Sequence, residues 1–247
     1  MQLRVLALYP EQMNIYADRG NILFLRRRCE WRGIGFSHAG AGPGEGFDPG
    51  AHDLVYIGGG QDRDQELVAE DMLRTKRDAL AAAAGDGAVV LAVCGGYQLL
   101  GHGYQLEGRR IAGLGLLDLE TVREPGPRLI GNVTIESGLG AGGSQLEISG
   151  FENHGGRTYL GADAEPLGRV VAGHGNNGKD GLEGARSANV IGTYLHGPLL
   201  PKNVALADRL IALALARREG AEPALEPLED GFELAAHASA RRAARAG

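Results

Sequence analysis

Cys94 stands between an apolar run, Ala88-Val89-Val90-Leu91-Ala92-Val93, and the segment Gly95-Gly96-Tyr97-Gln98-Leu99-Leu100. The pattern predicts a buried strand, a sharp turn and a short helix, with the thiol held out at the mouth of a sheet. That is the geometry of a nucleophile elbow, with Cys in place of Ser. The two glycines let the backbone turn tightly and leave room for a carbonyl to approach. A thiol at a helix N-terminus is also biased toward the thiolate by the helix dipole. The chemistry this would do is attack on an acyl carbon. The alternative is a small buried hydrophobe, a common fate of cysteine.

A nucleophilic cysteine needs a base, and the chain has seven histidines. His196 closes the apolar stretch Gly192-Thr193-Tyr194-Leu195 and is followed by Gly197-Pro198. In a parallel sheet the strand ends gather working groups along one rim. His196 can therefore meet Cys94 although the two are far apart in sequence. It could equally be a strand-end histidine bonded to backbone. His154, in Phe151-Glu152-Asn153-His154-Gly155-Gly156, is the rival, and its loop-like setting suggests a structural or rim position. Acyl transfer also needs donors for a tetrahedral oxyanion. The backbone N–H of Gly95, next to the thiol, is one candidate. That of Gly59, in the turn Gly58-Gly59-Gly60, is the other. A triple glycine could instead cradle phosphate, but no Gly-x-x-x-x-Gly-Lys-Ser/Thr string supports that.

The elements that must position these groups read as an α/β chain. Leu3–Tyr9 is expected to be a buried strand ended by Pro10. Asn21 can cap a helix carrying Ile22, Leu25, Cys29 and Trp31, closed by Gly33. Gly35-Phe36 opens a weak second strand, and Leu54–Ile57 is a third. A helical pattern runs from Gln65 to about Ala84 and stops at Gly85. Strands alternating with helices predict a mostly parallel sheet with helices on both faces. After Gly101 the rhythm changes. Short runs at 116–122, 129–135, 146–149, 169–171 and 190–195 suggest added antiparallel strands. Asn203–Arg218 is a last clear helix, and the stretch from Glu219 could be a docked helix around Phe232 and Leu234 or a loose tail.

Composition narrows the function classes. The chain has 247 residues and a formal charge of −6. Its one basic triplet, Arg26-Arg27-Arg28, fits a solvated helix face, which disfavours nucleic-acid binding. Two cysteines make no disulfide framework, and without a Cys-x-x-Cys pair no structural metal site is expected. Cys29 is expected in the core. No signal peptide and no membrane span are legible, so the cytoplasm is the expected compartment.

Three segments together, Ile57-Gly58-Gly59-Gly60-Gln61-Asp62, Val93–Gln98 and Gly192–Gly197, resemble the class I glutamine amidotransferases, in the branch found in cobyric acid synthases. Leu8–Asn14, Asp18-Arg19-Gly20-Asn21 and Gly150–Thr158 sharpen the likeness to the GatD family, the glutaminase subunits of lipid II isoglutaminyl synthases. The resemblance covers about residues 3–205, which would form the glutaminase domain, with 206–247 as a C-terminal helix and tail. It implies that Cys94 forms a γ-glutamyl thioester from L-glutamine, with His196 as base and Gly59 and Gly95 holding the oxyanion. It implies that Arg128, in Arg128-Leu129-Ile130-Gly131-Asn132, clamps the substrate α-carboxylate; otherwise Arg128 would be a surface residue in a Pro-rich loop. It further implies a heterodimer with a MurT-type ligase that amidates the D-glutamate of lipid II. No cofactor is expected on this chain, and ATP is expected on the ligase only. One departure stands out. Many class I members carry His-x-Glu, whereas here the order is His196-Gly197-Pro198, so a Cys-His dyad is expected and a backbone carbonyl could orient the base. A stand-alone cysteine hydrolase of the same fold, a subunit serving another synthetase, or a non-catalytic subunit are the competing readings.

Overall fold

The computed structural model describes residues 1–14, 19–60, 62–106 and 108–246. Asp18 and Gln61 of the sequence motifs lie outside the described residues. The central sheet takes β1 (Gln2–Leu8), β2 (Gly35–Ala41), β3 (Leu54–Ile57) and β4 (Val89–Val93), and later β13 (Ala185–Ser187) and β14 (Val190–Thr193). Its order is β13-β14-β4-β3-β1-β2. All neighbours are parallel except the terminal pair of β13 and β14. Every residue of β3, β4 and β14 is buried. Near-continuous apolar strands of this kind are what a sheet covered on both faces requires. The expected fold class is thus what the chain adopts.

Helices α1 (Arg19–Glu30) and α5 (Val204–Glu219) pack on each other, and α5 packs on β1 and β4. Helix α4 (Gly95–Leu100) packs on β4 and β14 and is met by α2 (Asp62–Asp71). The helix expected over Gln65–Ala84 is interrupted by a π-helical turn, Met72–Lys76, before α3 (Arg77–Gly85). Lys76 is buried there, its Nζ 2.8 Å from Asp71 Oδ2.

Two sequence expectations are corrected in α1. Asn21 does not cap the helix. It lies inside it, buried, donating to the Tyr56 hydroxyl at 2.8 Å and accepting from Leu200 N at 2.8 Å. Arg28 is not on a solvated face. It is fully buried between Asp208 of α5 and Asp230. Only Arg27 of the triplet is exposed. Cys29 is core, its thiol pushed up to about 12 by burial.

Beyond α4 two smaller sheets form. One joins β5 (Gly103–Leu106), β6 (Arg109–Ala112), β7 (Leu119–Arg123) and β10 (Gly156–Leu160), in the order β10-β7-β5-β6. The other joins β8 (Leu129–Ser137), β9 (Leu146–His154), β11 (Gly168–Ala172) and β12 (Leu182–Glu183), in the order β12-β11-β8-β9. The sequence pattern does not show β5, β6, β10, β12 or β13, and it ends β9 five residues early, at Ser149 rather than His154. Helix α6 (Gly231–Ala246) docks on β8 and β9, with Arg241 paired to Glu147 at 3.0 Å. Phe232 and Leu234 are not its anchors, being 92% and 58% exposed. Among the described residues no helix is long and apolar enough to cross a membrane.

Candidate active site

Cys94 sits at φ 52°, ψ −109°, between β4 and α4. Such a conformation costs a non-glycine residue about 1–3 kcal/mol and is held only by surrounding structure. Three segments supply that hold. Cys94 N donates to Thr193 O at 2.8 Å, Gly96 N to Gly58 O at 3.2 Å, and Gln98 N to Cys94 O at 3.2 Å. The turn after β3 therefore lies directly against the start of α4, which brings Gly59 and Gly95, both buried, to one place. A Cβ on Gly96 would sit 2.7 Å from Gly58 O and 2.8 Å from Ile57 O, so the approach needs glycine. A Cβ on Gly95 would sit 2.5 Å from Gln65 Nε2.

The parallel register Thr193↔Val93 sets the next residues of both strands along the same carboxyl edge. Tyr194 follows Thr193, and His196 lies two residues further. The path of this segment is fixed by groups from other elements. Glu183 Oε1 accepts from Tyr194 N at 2.7 Å, and Thr193 Oγ1 donates to the same carboxyl. Burial pushes the Glu183 carboxyl up to about 8. Phe151 of β9 then pairs antiparallel with His196, and its ring meets the imidazole edge-on at 5.7 Å. The His196 ring is buried, 1% exposed. Burial first, then the electrostatic influence of His154, Lys202 and Arg128, brings it down to about 4. At neutral pH it is an uncharged imidazole, the form that accepts a proton.

His154 is not a rim residue. It is 2% exposed and stacks flat on Tyr194, ring centroids 3.6 Å apart and planes within 5°. Its Nδ1 lies 2.8 Å from Gly156 O, which can only accept, so that nitrogen carries the proton. Its Nε2 lies 3.5 Å from Glu152 Oε2. The Tyr194 hydroxyl accepts from Gln98 Nε2 at 3.1 Å and bonds Thr158 Oγ1 at 2.7 Å. Arg128 is exposed and is steadied by Asn153, through Nε to Oδ1 at 2.8 Å and Nη2 to the carbonyl at 2.7 Å. That leaves three of its five N–H donors. The long β9, paired with β8 through Ile130↔Asn153 and with His196 through Phe151, carries Arg128 toward His196. Lys202, which the sequence reading passed over, also lies here; its position six residues after His196 was the available signal.

Residues 4–204 match the family model described as the CobB/CobQ-like glutamine amidotransferase domain. The chain is 40% identical over 230 residues to the "Lipid II isoglutaminyl synthase (glutamine-hydrolyzing) subunit GatD" of Streptococcus pneumoniae, covering 93% of this chain and 86% of that protein. The Staphylococcus aureus protein of the same name is 40% identical over 218 residues, covering 88% and 86%. The chain belongs to the CobB/CobQ-like glutamine amidotransferases, in the GatD group. A glutamine amidotransferase structure from Thermotoga maritima shares the fold, with a TM-score of 0.54 at 17% identity over 99% of this chain and 92% of that one. The amidotransferase resemblance read from the elbow, the glycine turn and the His196 segment is therefore borne out, and the chain is a glutamine amidotransferase.

Proposed function

We propose that this chain is the glutaminase subunit of a lipid II isoglutaminyl synthase. Cys94 Sγ attacks the side-chain amide carbon of L-glutamine while His196 takes the thiol proton. The N–H groups of Gly59 and Gly95 hold the resulting oxyanion. As the tetrahedral intermediate collapses, the C–N bond breaks and His196 returns the proton to the leaving ammonia. Water, deprotonated by His196, then attacks the thioester and releases glutamate. Arg128 clamps the α-carboxylate. The ammonia passes to a MurT-type, ATP-dependent ligase on a second chain, which amidates the D-glutamate α-carboxyl of lipid II. This chain works without a cofactor of its own, in the cytoplasm.

The observation that carries the reading is the strained Cys94 turn sharing one sheet edge with His196, in a chain 40% identical to GatD subunits. The test is reconstitution of the complex. Cys94→Ala should abolish glutamine-dependent amidation of lipid II, and high ammonium should restore it. Glutaminase activity above a few per cent in that variant would remove Cys94 from its role. Failure of ammonium to rescue a folded, partner-bound variant would remove the supply model and leave a stand-alone hydrolase.

A further inference from the structure

The catalytic edge holds a second cation that the mechanism above does not use. Lys202 ends the turn Leu200–Lys202, six residues after His196. Its side chain is half-buried, and burial alone pulls its pKa down. The ammonium lies 3.9 Å from where a Cβ on Gly197 would stand, beside the base. Among the described residues no carboxylate lies within 4.0 Å of it. Glu147 of β9, on which α6 packs, is taken by Arg241, Arg245 and His237. The contrast is Lys76, a fully buried ammonium with Asp71 at 2.8 Å.

The main chain around Lys202 is tied by hydrogen bonds from three other segments. Asn203 Nδ2 donates to Leu199 O and to Ser149 O, both at 2.7 Å. Leu200 N donates to Asn21, and Lys202 O accepts from His237 Nδ1 at 2.9 Å. A half-desolvated cation with no anion within 4.0 Å among the described residues is unfavourable unless something else brings the charge. Arg128 approaches His196 from the start of β8, and Lys202 approaches it from the turn after β14.

We propose that Lys202 is a second substrate-binding residue, which with Arg128 holds the α-carboxylate of the amino-acid substrate beside His196. The proposal rests on the glutaminase reading above. It has a consequence for the base. An arriving carboxylate compensates Lys202 and Arg128, the two cations that help hold the imidazole down, so His196 becomes more basic once substrate is bound.

The test compares L-glutamine with 4-aminobutanamide, the same amide without its α-carboxylate, using the full chain in the assembled synthetase. Lys202→Met should raise KM for glutamine at least tenfold and cost at least tenfold more in kcat/KM for glutamine than for 4-aminobutanamide. Lys202→Arg should recover most of the glutamine affinity. In Lys202→Met the acid limb of kcat/KM should move up in pH, because one charge opposing protonation of His196 is gone. An unchanged KM overturns the clamp, and so does an equal loss on both amides, which a purely structural lysine would give. Should Lys202→Met misfold, glutamine binding by calorimetry to Cys94→Ala, with and without Lys202→Gln, decides the matter: equal affinities refute the clamp. If Cys94→Ala keeps its glutaminase activity, the underlying reading fails instead, whatever Lys202 does.

Discussion

Phe151 and His196 exchange both backbone hydrogen bonds, Phe151 N to His196 O at 3.1 Å and His196 N to Phe151 O at 3.0 Å. His196 is thereby the rivet between the central parallel sheet and the antiparallel sheet that Arg128 precedes. With Pro198 where a glutamate is common in the class, this pairing is what holds the main chain of His196 in position.

Gly150 tests that rivet. A Cβ there would lie 2.9 Å from Leu195 Cβ and 3.3 Å from Leu195 Cα, forcing β9 away from the His196 segment. Gly150→Ala should lower kcat by at least tenfold with a smaller change in KM, because the base is displaced rather than the substrate clamp. Unaltered kcat in a folded variant would show that the pairing does not set the base geometry.

Strain at the elbow gives a stability prediction. Glycine tolerates φ 52°, ψ −109°, which is the first central position of a type II′ turn. Cys94→Gly relieves about 1–3 kcal/mol of strain and adds back about 0.5–1 kcal/mol of unfolded-chain entropy. The net is roughly 1 kcal/mol of stabilisation, or about 2–4 °C in Tm for a chain of this size. Cys94→Ala keeps the strain and should melt like the parent. Both should be inactive. Equal melting temperatures for the Gly and Ala variants would contradict the strain argument.

With His196 as the proposed base, its titration sets the acid limb. His196 titrates at about 4 in the folded chain against an ordinary 6.5. In the free enzyme kcat/KM should stay level down to about pH 5 and fall with a midpoint near 4. Stability follows with the same sign. Between pH 6.5 and 4 the unfolded chain binds the proton and the native chain does not, so His196 costs stability progressively as pH falls through that window. A kcat/KM midpoint near 6.5 would mean the imidazole is not held down.

Glu183 acts in the opposite direction. Its folded value of about 8 lies above the ordinary 4.5, so the native chain keeps a proton that the unfolded chain loses. Stability from this group is full at low pH and drains as pH rises toward 8. Above pH 6.5 the His196 contribution is constant, so the window 6.5–8 isolates Glu183. Glu183→Gln, which can still accept from Tyr194 N and donate to Thr193 Oγ1, should be flat there while the parent loses Tm. A parallel decline in both proteins would place the pH dependence elsewhere.

The central sheet and the elbow were legible because their signals are local. Val89–Val93 is an unbroken apolar run, and the glycines beside Cys94 and after Ile57 mark where backbone must approach backbone. What escaped was set by distant partners. Arg28 looks like a surface charge until Asp208 and Asp230 arrive from the other end of the chain. Asn21 has the residue type of a helix cap, but Tyr56 and Leu200 claim its side chain. His154 sits among glycines and reads as loop, yet β9 runs on through it and Tyr194 covers its ring. Strands β5, β6 and β10 are four or five residues long, and Gly103–Leu106 and Arg109–Ala112 alternate too little to stand out from turn sequence.

Helix α6 braces the turn beside His196, with His237 Nδ1 2.9 Å from Lys202 O. The central sheet closes with β14, and α6 is no part of it. The turn that carries Lys202 therefore leans on an element the sheet does without. A change confined to α6 would leave the scaffold standing and be felt first at the catalytic edge, so the helix can tune the site without touching substrate.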